Sequence, residues 1–477
     1  MIDFNKTIEA VSSTIKRNLT DFFQKHDQQE EITPDFISEA CKGMRSAFAA
    51  GGLAGMGKLF SEADTDAREI KVDGEPMRLK GKQLKRYMTP FGNLKYERSY
   101  YQSSKNEESV APVDVKVGAH REFAIPAMRE SIALASSYMS SKEIEFFMDK
   151  VALHAPKENA VANLIERHGW NHQEYREEIE SLEIEIAPPV PKETKTVVFS
   201  ADGASVLMRE PKPGETRKYN AAYKIAMVGA VSMYGEAKDD DHGERLSKLY
   251  QATAPEPRFE TFRECFDGLK AFVDDALVRE TTGEVTKVAL MDGARNLWSY
   301  INGAALFDDC LKLIDYWHAV EHLCAAGKIL FGDETEAYKK WKDKMTVKLK
   351  SKVKGAVSVA KSIDYYAGKL KLSATSKDKL KTESKYFKNN QRLMNYHDFI
   401  ERQLPIGSGP VEAACKTLVK QRLCKTGAKW SKDGAQDILT LRSKVKADRW
   451  NAYWKGFMTV EQNNAPKIEM EESKKVA

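Results

Sequence analysis

The chain has 477 residues, of which 42% are hydrophobic and 30% charged. This composition is typical of a soluble globular protein with room for two or three domains. No run approaches 18 consecutive apolar residues, which excludes a membrane-spanning helix, and the first residues lack the layout of a secretion signal. The six cysteines form no Cys-x-x-Cys pair, so they give no zinc-finger spacing and suit the reducing cytoplasm in which we expect the protein.

The net charge of +5 is distributed unevenly along the chain. Residues 338–392 contain 17 basic and 4 acidic side chains, and residues 416–455 contain 11 and 3. Segregated positive charge indicates a polyanionic partner, because neutralised phosphates release counterions. A solvated lysine-rich helical surface is the alternative explanation.

Residues 1–187 are predicted to form a mainly helical N-terminal domain. A β-hairpin at about 83–101 interrupts it, and amphipathic helices return over 121–185. Three prolines within 188–191 then predict a stiff linker, because successive prolines cannot continue a helix.

A predicted α/β core occupies residues 192–333. We expect one strand ending at Asp202, a second over 206–209 and a third over 223–234, followed by α-β-α-β-α with strands ending at Asp292 and Asp315. The remaining predicted segments are a lysine-rich helical insertion (334–403), a last core helix with basic C-terminal helices (404–455) and a flexible tail (456–477).

Three apolar runs in this core therefore each end on an aspartate: Asp202, Asp292 and Asp315. A fourth acid, Glu412, follows a Gly-Ser-Gly-Pro segment. Ligands of open α/β sheets bind at the carboxyl ends of the strands, so the chain is predicted to aim several carboxylates at one place. Two carboxylates about 4 Å apart repel by roughly 4 kcal/mol at an effective dielectric constant near 20, which favours a divalent cation between them and phosphoryl-transfer chemistry.

Each acid also has a structural explanation. Asp202 precedes Gly203 as in a hairpin turn, Asp292 stands where a helix N-cap is expected, and Glu412 could complete a capping box on a helix beginning at Pro410. One turn of helix separates His318 from His322, a spacing that a zinc site could use, although a structural role for His322 is favoured.

Together these residues resemble the DDE transposases of bacterial insertion sequences, specifically the ISKra-like group, which is related to the Mutator-like transposases. The resemblance spans about residues 85–450 and is carried by Asp202, Asp292, Glu412 and the Asp315-x-x-His318 element. Relatives often have a cysteine pair just after the hairpin. Here residues 103–106 contain none, a departure that bears on an N-terminal metal and not on the four acids.

The resemblance implies a ribonuclease H-like mixed five-stranded sheet whose first and fourth strands are neighbours. It implies that Asp202, Asp292 and Glu412 bind two Mg²⁺ or Mn²⁺ ions, with Asp315 and His318 in a supporting catalytic role. The enzyme would nick the ends of its element and join the 3′-hydroxyl to target DNA, in the bacterial nucleoid.

The partner is then double-stranded DNA, both the terminal inverted repeats and the target, and a homodimer or larger oligomer would hold two ends together. Residues 1–187 are expected to recognise the repeats. The residues predicted to contact DNA phosphates are Lys348, Lys350, Lys352, Lys354, Lys416, Lys420, Arg422, Lys425 and Lys429.

Two other classes remain open from the sequence. One is a ribonuclease H-like, structure-specific DNA nuclease that uses the same acids without joining strands. The other is a domesticated, non-catalytic DNA-binding protein, against which the retention of all three predicted metal ligands argues.

Overall fold

The structure is a computed structural model that describes residues 4–29, 31–103, 108–211, 219–237 and 242–469. Most of the segment in which relatives have a cysteine pair, residues 104–106, lies outside these ranges. Two compact units make up the chain: residues 1–186 with 451–477, and residues 187–450. In the part described, none of the helices combines the length and the apolar character needed to cross a membrane.

The first unit begins with two helices that precede a small antiparallel sheet. Thr33 caps the second helix by accepting a hydrogen bond from the Phe36 N–H at 3.2 Å. The predicted hairpin lies within the two longest strands of the sheet, which are joined by a two-residue turn. The elements are α1 (Phe4–Gln24), α2 (Pro34–Ala63), β1 (Glu69–Val72), β2 (Glu75–Thr89), β3 (Gly92–Ser103) and β4 (Ser109–Val110), followed by α3 (Pro112–Lys116), α4 (Pro126–Ser136), α5 (Ser141–Val151), α6 (Glu158–Glu174) and α7 (Arg176–Ile186).

The second unit contains a mixed five-stranded sheet in the order β7-β6-β5-β8-β9. The first three of these strands along the chain pair antiparallel, and β8 and β9 add to β5 in parallel. The first and fourth strands of the core are therefore neighbours. Its elements are β5 (Thr196–Pro211), β6 (Tyr219–Tyr234), β7 (Arg245–Thr253), α8 (Glu260–Glu280), β8 (Thr286–Met291), α9 (Arg295–Gly303), β9 (Leu311–Ile314) and α10 (Tyr316–Phe331).

The strand prediction around Asp202 was wrong. β5 continues through Asp202 and Gly203, which pair with Val228 and Met227 on β6, so the two predicted strands are one. Glycine lacks a side chain but keeps its N–H and C=O, so it can stay within a paired strand where a turn was expected. The third strand of the meander is β7, which the sequence reading missed.

A helical segment separates β9 and α10 from the last helices of this unit. Its buried faces carry large apolar side chains such as Trp341, Leu349, Ile363 and Phe387, which join the core of the unit, while most of its lysines lie outside. The elements are α11 (Glu336–Ser351), α12 (Gly355–Lys369), α13 (Ala374–Asn390), α14 (Tyr396–Glu401), α15 (Gly409–Ala414), a π-helical turn (Cys415–Lys420), α16 (Gln421–Leu423) and α17 (Lys432–Lys446).

The end of the chain returns to the first unit as α18 (Trp450–Asn463) and β10 (Ile468–Glu469). Phe457 and Val460 are buried, and β10 pairs antiparallel with β1. The structure thus differs from the predicted flexible tail over 456–469, because apolar burial and strand pairing hold this segment. Residues 470–477 lie outside the described part.

Candidate active site

Parallel pairing aligns three aspartates at one edge of the five-stranded sheet. Phe199 is aligned with Ala289, and Asp202 and Asp292 each lie three residues after these partners. Met291 is aligned with Ile314, and Asp292 and Asp315 each lie one residue after them. Since neighbouring strands are about 4.8 Å apart, the three acids follow one another at one level across β5, β8 and β9.

Asp292, in the middle of this row, is half-buried. Its Oδ1 accepts the Ala294 N–H at 2.9 Å, whereas the N-cap of α9 is Ala294, so Asp292 does not occupy the N-cap position of the structural alternative. Burial raises the pKa of the Asp292 carboxyl, and the charges of Asp202 and Asp315 raise it further, while the Ala294 N–H and His318 act in the opposite direction. The three aspartates are thus close enough to interact electrostatically.

Asp315 is fully buried and caps α10. One carboxylate oxygen accepts the His318 N–H at 2.9 Å, and the other accepts the Ser408 N–H. Asp315 therefore ties the segment before Glu412 to the end of β9. Both its oxygens bond backbone amides, so the observed contacts of this predicted catalytic residue are those of a positioning residue.

Glu412 lies one turn before Cys415 on the chain segment that packs next to Asp202. The Cys415 thiol hydrogen-bonds Asp202, and its pKa is raised well above the usual range by burial, by Asp202 and, to a smaller extent, by Glu412. The predicted capping box is not formed, because the helix begins at Gly409 and the Ser408 N–H bonds Asp315 instead. A π-helical turn at Cys415–Lys420 follows; such turns are frequent at functional sites.

The chemistry of this donor set fits a hard divalent cation, because carboxylate oxygens are the ligands that Mg²⁺ and Mn²⁺ prefer. Within the described ranges, however, no three His, Cys, Asp or Glu side chains converge closely enough to hold a metal ion. Asp202 accepts the Gly203 N–H at 2.6 Å, so each aspartate of the row bonds at least one backbone amide. The acids are gathered on neighbouring elements without forming a finished ligand set.

Tyr386, on α13, lies over this edge of the sheet and was not identified from the sequence. A Cβ at Gly293 would lie 2.7 Å from its ring, and its buried hydroxyl has no hydrogen-bond partner among the residues that the structure describes. The ring stacks on His322 with centroids 3.6 Å apart, and His322 Nδ1 lies 2.7 Å from Glu383. His322 is thus engaged by Glu383 and does not form a metal-binding pair with His318, whose Nδ1 lies 3.4 Å from Glu321. The long separation of Asp292 and Tyr386 in sequence left no signal for this contact.

Trp317 lines a cleft of about 1030 Å³ beside the row of acids and is 60% exposed. A Cβ at Gly407 would lie 3.3 Å from the Trp317 indole and 3.9 Å from Asp315 Oδ2, so the cleft and the acids meet at this glycine. Arg245 and Lys350 also line the cleft. An exposed aromatic ring beside two cations can stack on a nucleobase.

The predicted phosphate contacts differ in accessibility. Lys350 lies over the Tyr316 ring at 4.6 Å, and Lys348 and Lys425 are half-buried. Arg422 is buried with its guanidinium over the Trp430 ring at 4.9 Å, so packing takes the place of the predicted contact with DNA. The exposed members of the set are Lys352, Lys354, Lys416, Lys420 and Lys429.

No protein-family profile matches the chain, and no curated protein matches it. Among solved structures, it is similar to the Drosophila P element transposase strand transfer complex, at 12% sequence identity and a TM-score of 0.25. The match covers 74% of this chain and 83% of that one. A superposition of this quality does not establish a common fold.

Proposed function

We propose that this chain is a DNA transposase of the DDE type, with a ribonuclease H-like catalytic core of the kind found in ISKra-like and Mutator-like elements. The observation that carries the proposal is the row of Asp202, Asp292 and Asp315 across three neighbouring strands, with Cys415, one turn after Glu412, in contact with Asp202. The strand order, three antiparallel strands extended by two parallel ones, supports the same core.

Asp202, Asp292 and Glu412 would hold the Mg²⁺ or Mn²⁺ ions. The chemistry that these ions supply when bound is activation of water or a DNA 3′-hydroxyl and neutralisation of charge on the leaving oxygen. Asp292 favours such a role because its ionised form is disfavoured by burial and by its acidic neighbours, a cost that a cation would offset. Asp315 positions the segment that leads to Glu412 through the Ser408 amide.

DNA would be held by the exposed lysines of the basic segments and by the cleft at Trp317. Lysine contacts with phosphates position a duplex without reading its sequence. Recognition of the terminal inverted repeats is assigned to the first unit, and joining two ends requires at least two copies of the chain. The proposed setting is the bacterial nucleoid.

The test is a strand-transfer assay with the purified chain, labelled element-end DNA and a target plasmid, in Mg²⁺, Mn²⁺ or EDTA. Metal-dependent joined product is expected from the wild type and no product from Asp292→Asn. A matched control is Asp308→Asn, an exposed aspartate of the same unit, which should join normally. Cleavage without joining would favour a nuclease, binding alone would favour a non-catalytic DNA-binding protein, and full activity of Asp292→Asn would refute the site.

Metal binding can be tested without activity. A ligand that binds only the folded chain raises the unfolding temperature, by RT ln(1 + [L]/Kd) in free energy. Mg²⁺ or Mn²⁺ should raise the unfolding temperature of the wild type and have a smaller effect on Asp202→Asn and Asp292→Asn. Equal shifts in all three proteins would show that these acids do not hold the ion.

A further inference from the structure

The two long strands of the first unit form a ribbon with two different faces. Side chains alternate between the faces of a strand, and β2 pairs with β3 in a regular register from Gly81 to Thr89. We call one side of this ribbon the open face: Lys82, Leu84 and Arg86 on β2, with Lys95 and Glu97 on β3. All five side chains are exposed.

On the opposite face, an acid neutralises the cations. Asp114 is buried, lies 2.8 Å from Lys85 Nζ, forms an ion pair with Arg98 and accepts the Tyr87 hydroxyl. Here the positive charges stabilise the fold, because they compensate a buried carboxylate. Asp114 thereby accounts for the two cations of this face without any external partner.

The open face carries one acid, Glu97 opposite Leu84, against three cations. In the ranges that the structure describes, no acid lies within ion-pair distance of Lys82, Arg86 or Lys95. Arg86 stands directly opposite Lys95 in the register, and like charges at such positions destabilise a pair of strands. Leu84 lies between Lys82 and Arg86 and is 63% exposed. The face thus combines three cations with one exposed acid and an exposed apolar side chain.

We propose that the open face binds the major groove of duplex DNA. A major groove about 12 Å wide admits a two-stranded β-ribbon. Lys82 and Arg86, four residues apart on an extended strand, are separated by about 13 Å, so they can reach phosphates on both margins of the groove. Leu84 then faces the base edges, where an apolar side chain can contact a thymine methyl group. This inference rests on the proposed function only in taking DNA as the polyanion.

The test compares two triple variants of the full chain with the same loss of charge. One is Lys82→Gln/Arg86→Gln/Lys95→Gln. The control, Lys16→Gln/Arg17→Gln/Lys42→Gln, removes three exposed cations from α1 and α2. Binding to a fluorescent duplex is measured by anisotropy in EDTA between 50 and 300 mM salt, about the range in which phosphate contacts dominate the affinity.

The ribbon variant should bind at least about tenfold more weakly at low salt and reduce the slope of log K against log salt by about 2 to 3, since each lost phosphate contact removes about 0.9. The control should change both quantities much less. Equal losses in the two variants, or no loss in either, would overturn the proposal. So would binding of the wild type to phosphatidylserine vesicles without binding to DNA.

Two further measurements keep the result interpretable. The ribbon variant should melt at the wild-type temperature or above it, because it removes the repulsion between Arg86 and Lys95; if it unfolds, Lys95→Gln alone replaces it. Asp292→Asn should bind the duplex as the wild type does. A failure of strand transfer would therefore not contradict DNA binding by the open face. An unchanged affinity of the ribbon variant for DNA would not contradict the proposed catalytic acids, which the strand-transfer assay tests separately.

Discussion

Asp315→Asn should destabilise the second unit although it changes only one atom of the side chain. Asp315 is fully buried, and its two oxygens accept the N–H groups of His318 and Ser408. An asparagine can accept only one of these bonds with its oxygen, and its NH₂ group then faces the other donor. A buried donor left unsatisfied costs about 1–3 kcal/mol, and the loss of charge weakens the remaining bond by about 1 kcal/mol.

The expected decrease in the free energy of unfolding is therefore about 2–4 kcal/mol. Relief of the repulsion between Asp315 and Asp292 opposes it in part. Urea unfolding followed by circular dichroism measures the decrease, and Asp308→Asn, exposed in the same unit, should stay within about 0.5 kcal/mol of the wild type. A wild-type urea midpoint for Asp315→Asn would refute the double hydrogen bond and the positioning role assigned to it.

Three other changes test the same architecture. Gly293→Ala should cost about 1–3 kcal/mol through the clash with Tyr386, and Tyr386→Leu should relieve much of that cost in a double-mutant cycle; additive effects would contradict the contact. Lys270→Ala should cost about 1–3 kcal/mol by thermal or urea unfolding, because it removes a fully buried side chain, whereas Lys270→Met, which keeps most of the volume, should cost less. Lys287 still pairs with Asp274 and Asp309 in both variants. Because the pKa of Asp292 is raised in the folded chain, its contribution to stability is full at low pH and is lost as the pH rises through the folded-state pKa. Asp292→Asn should therefore be at least as stable as the wild type at pH 7, and the difference should shrink as the pH falls. Unfolding temperatures between pH 4 and 8 measure this trend, and a difference that grows in acid would contradict it.

The sequence predicted those parts of the fold that local chemistry determines. Apolar runs followed by Asp292 and Asp315 marked two strand ends, and the parallel register brought these acids to one level with Asp202. Local preference is a poor guide where strand pairing overrides it. Asp202-Gly203 suggested a turn, whereas sixteen residues of β5 pair with β6 through that point.

Contacts between distant segments could not be predicted either. Arg422 carries a charge that suggested DNA binding, yet its position over Trp430 depends on how the chain folds after α16. Tyr386 gives no chemical signal in its own helix and becomes relevant only because α13 packs over Gly293. A flexible tail was predicted over 456–477, but the pairing of β10 with β1 joins segments that lie far apart in the sequence.

That pairing affects the order of events during synthesis. The second unit, residues 187–450, is inserted in sequence between two parts of the first, and its own ends meet where the Arg449 side chain bonds the Ala187 carbonyl at 2.9 Å. At about 5–20 residues per second, a ribosome needs roughly 13 to 53 seconds to make this insertion before α18 and β10 emerge. The inserted unit can therefore complete its own core first, and the edge of β1 that pairs with β10 stays unpaired until β10 has been synthesised.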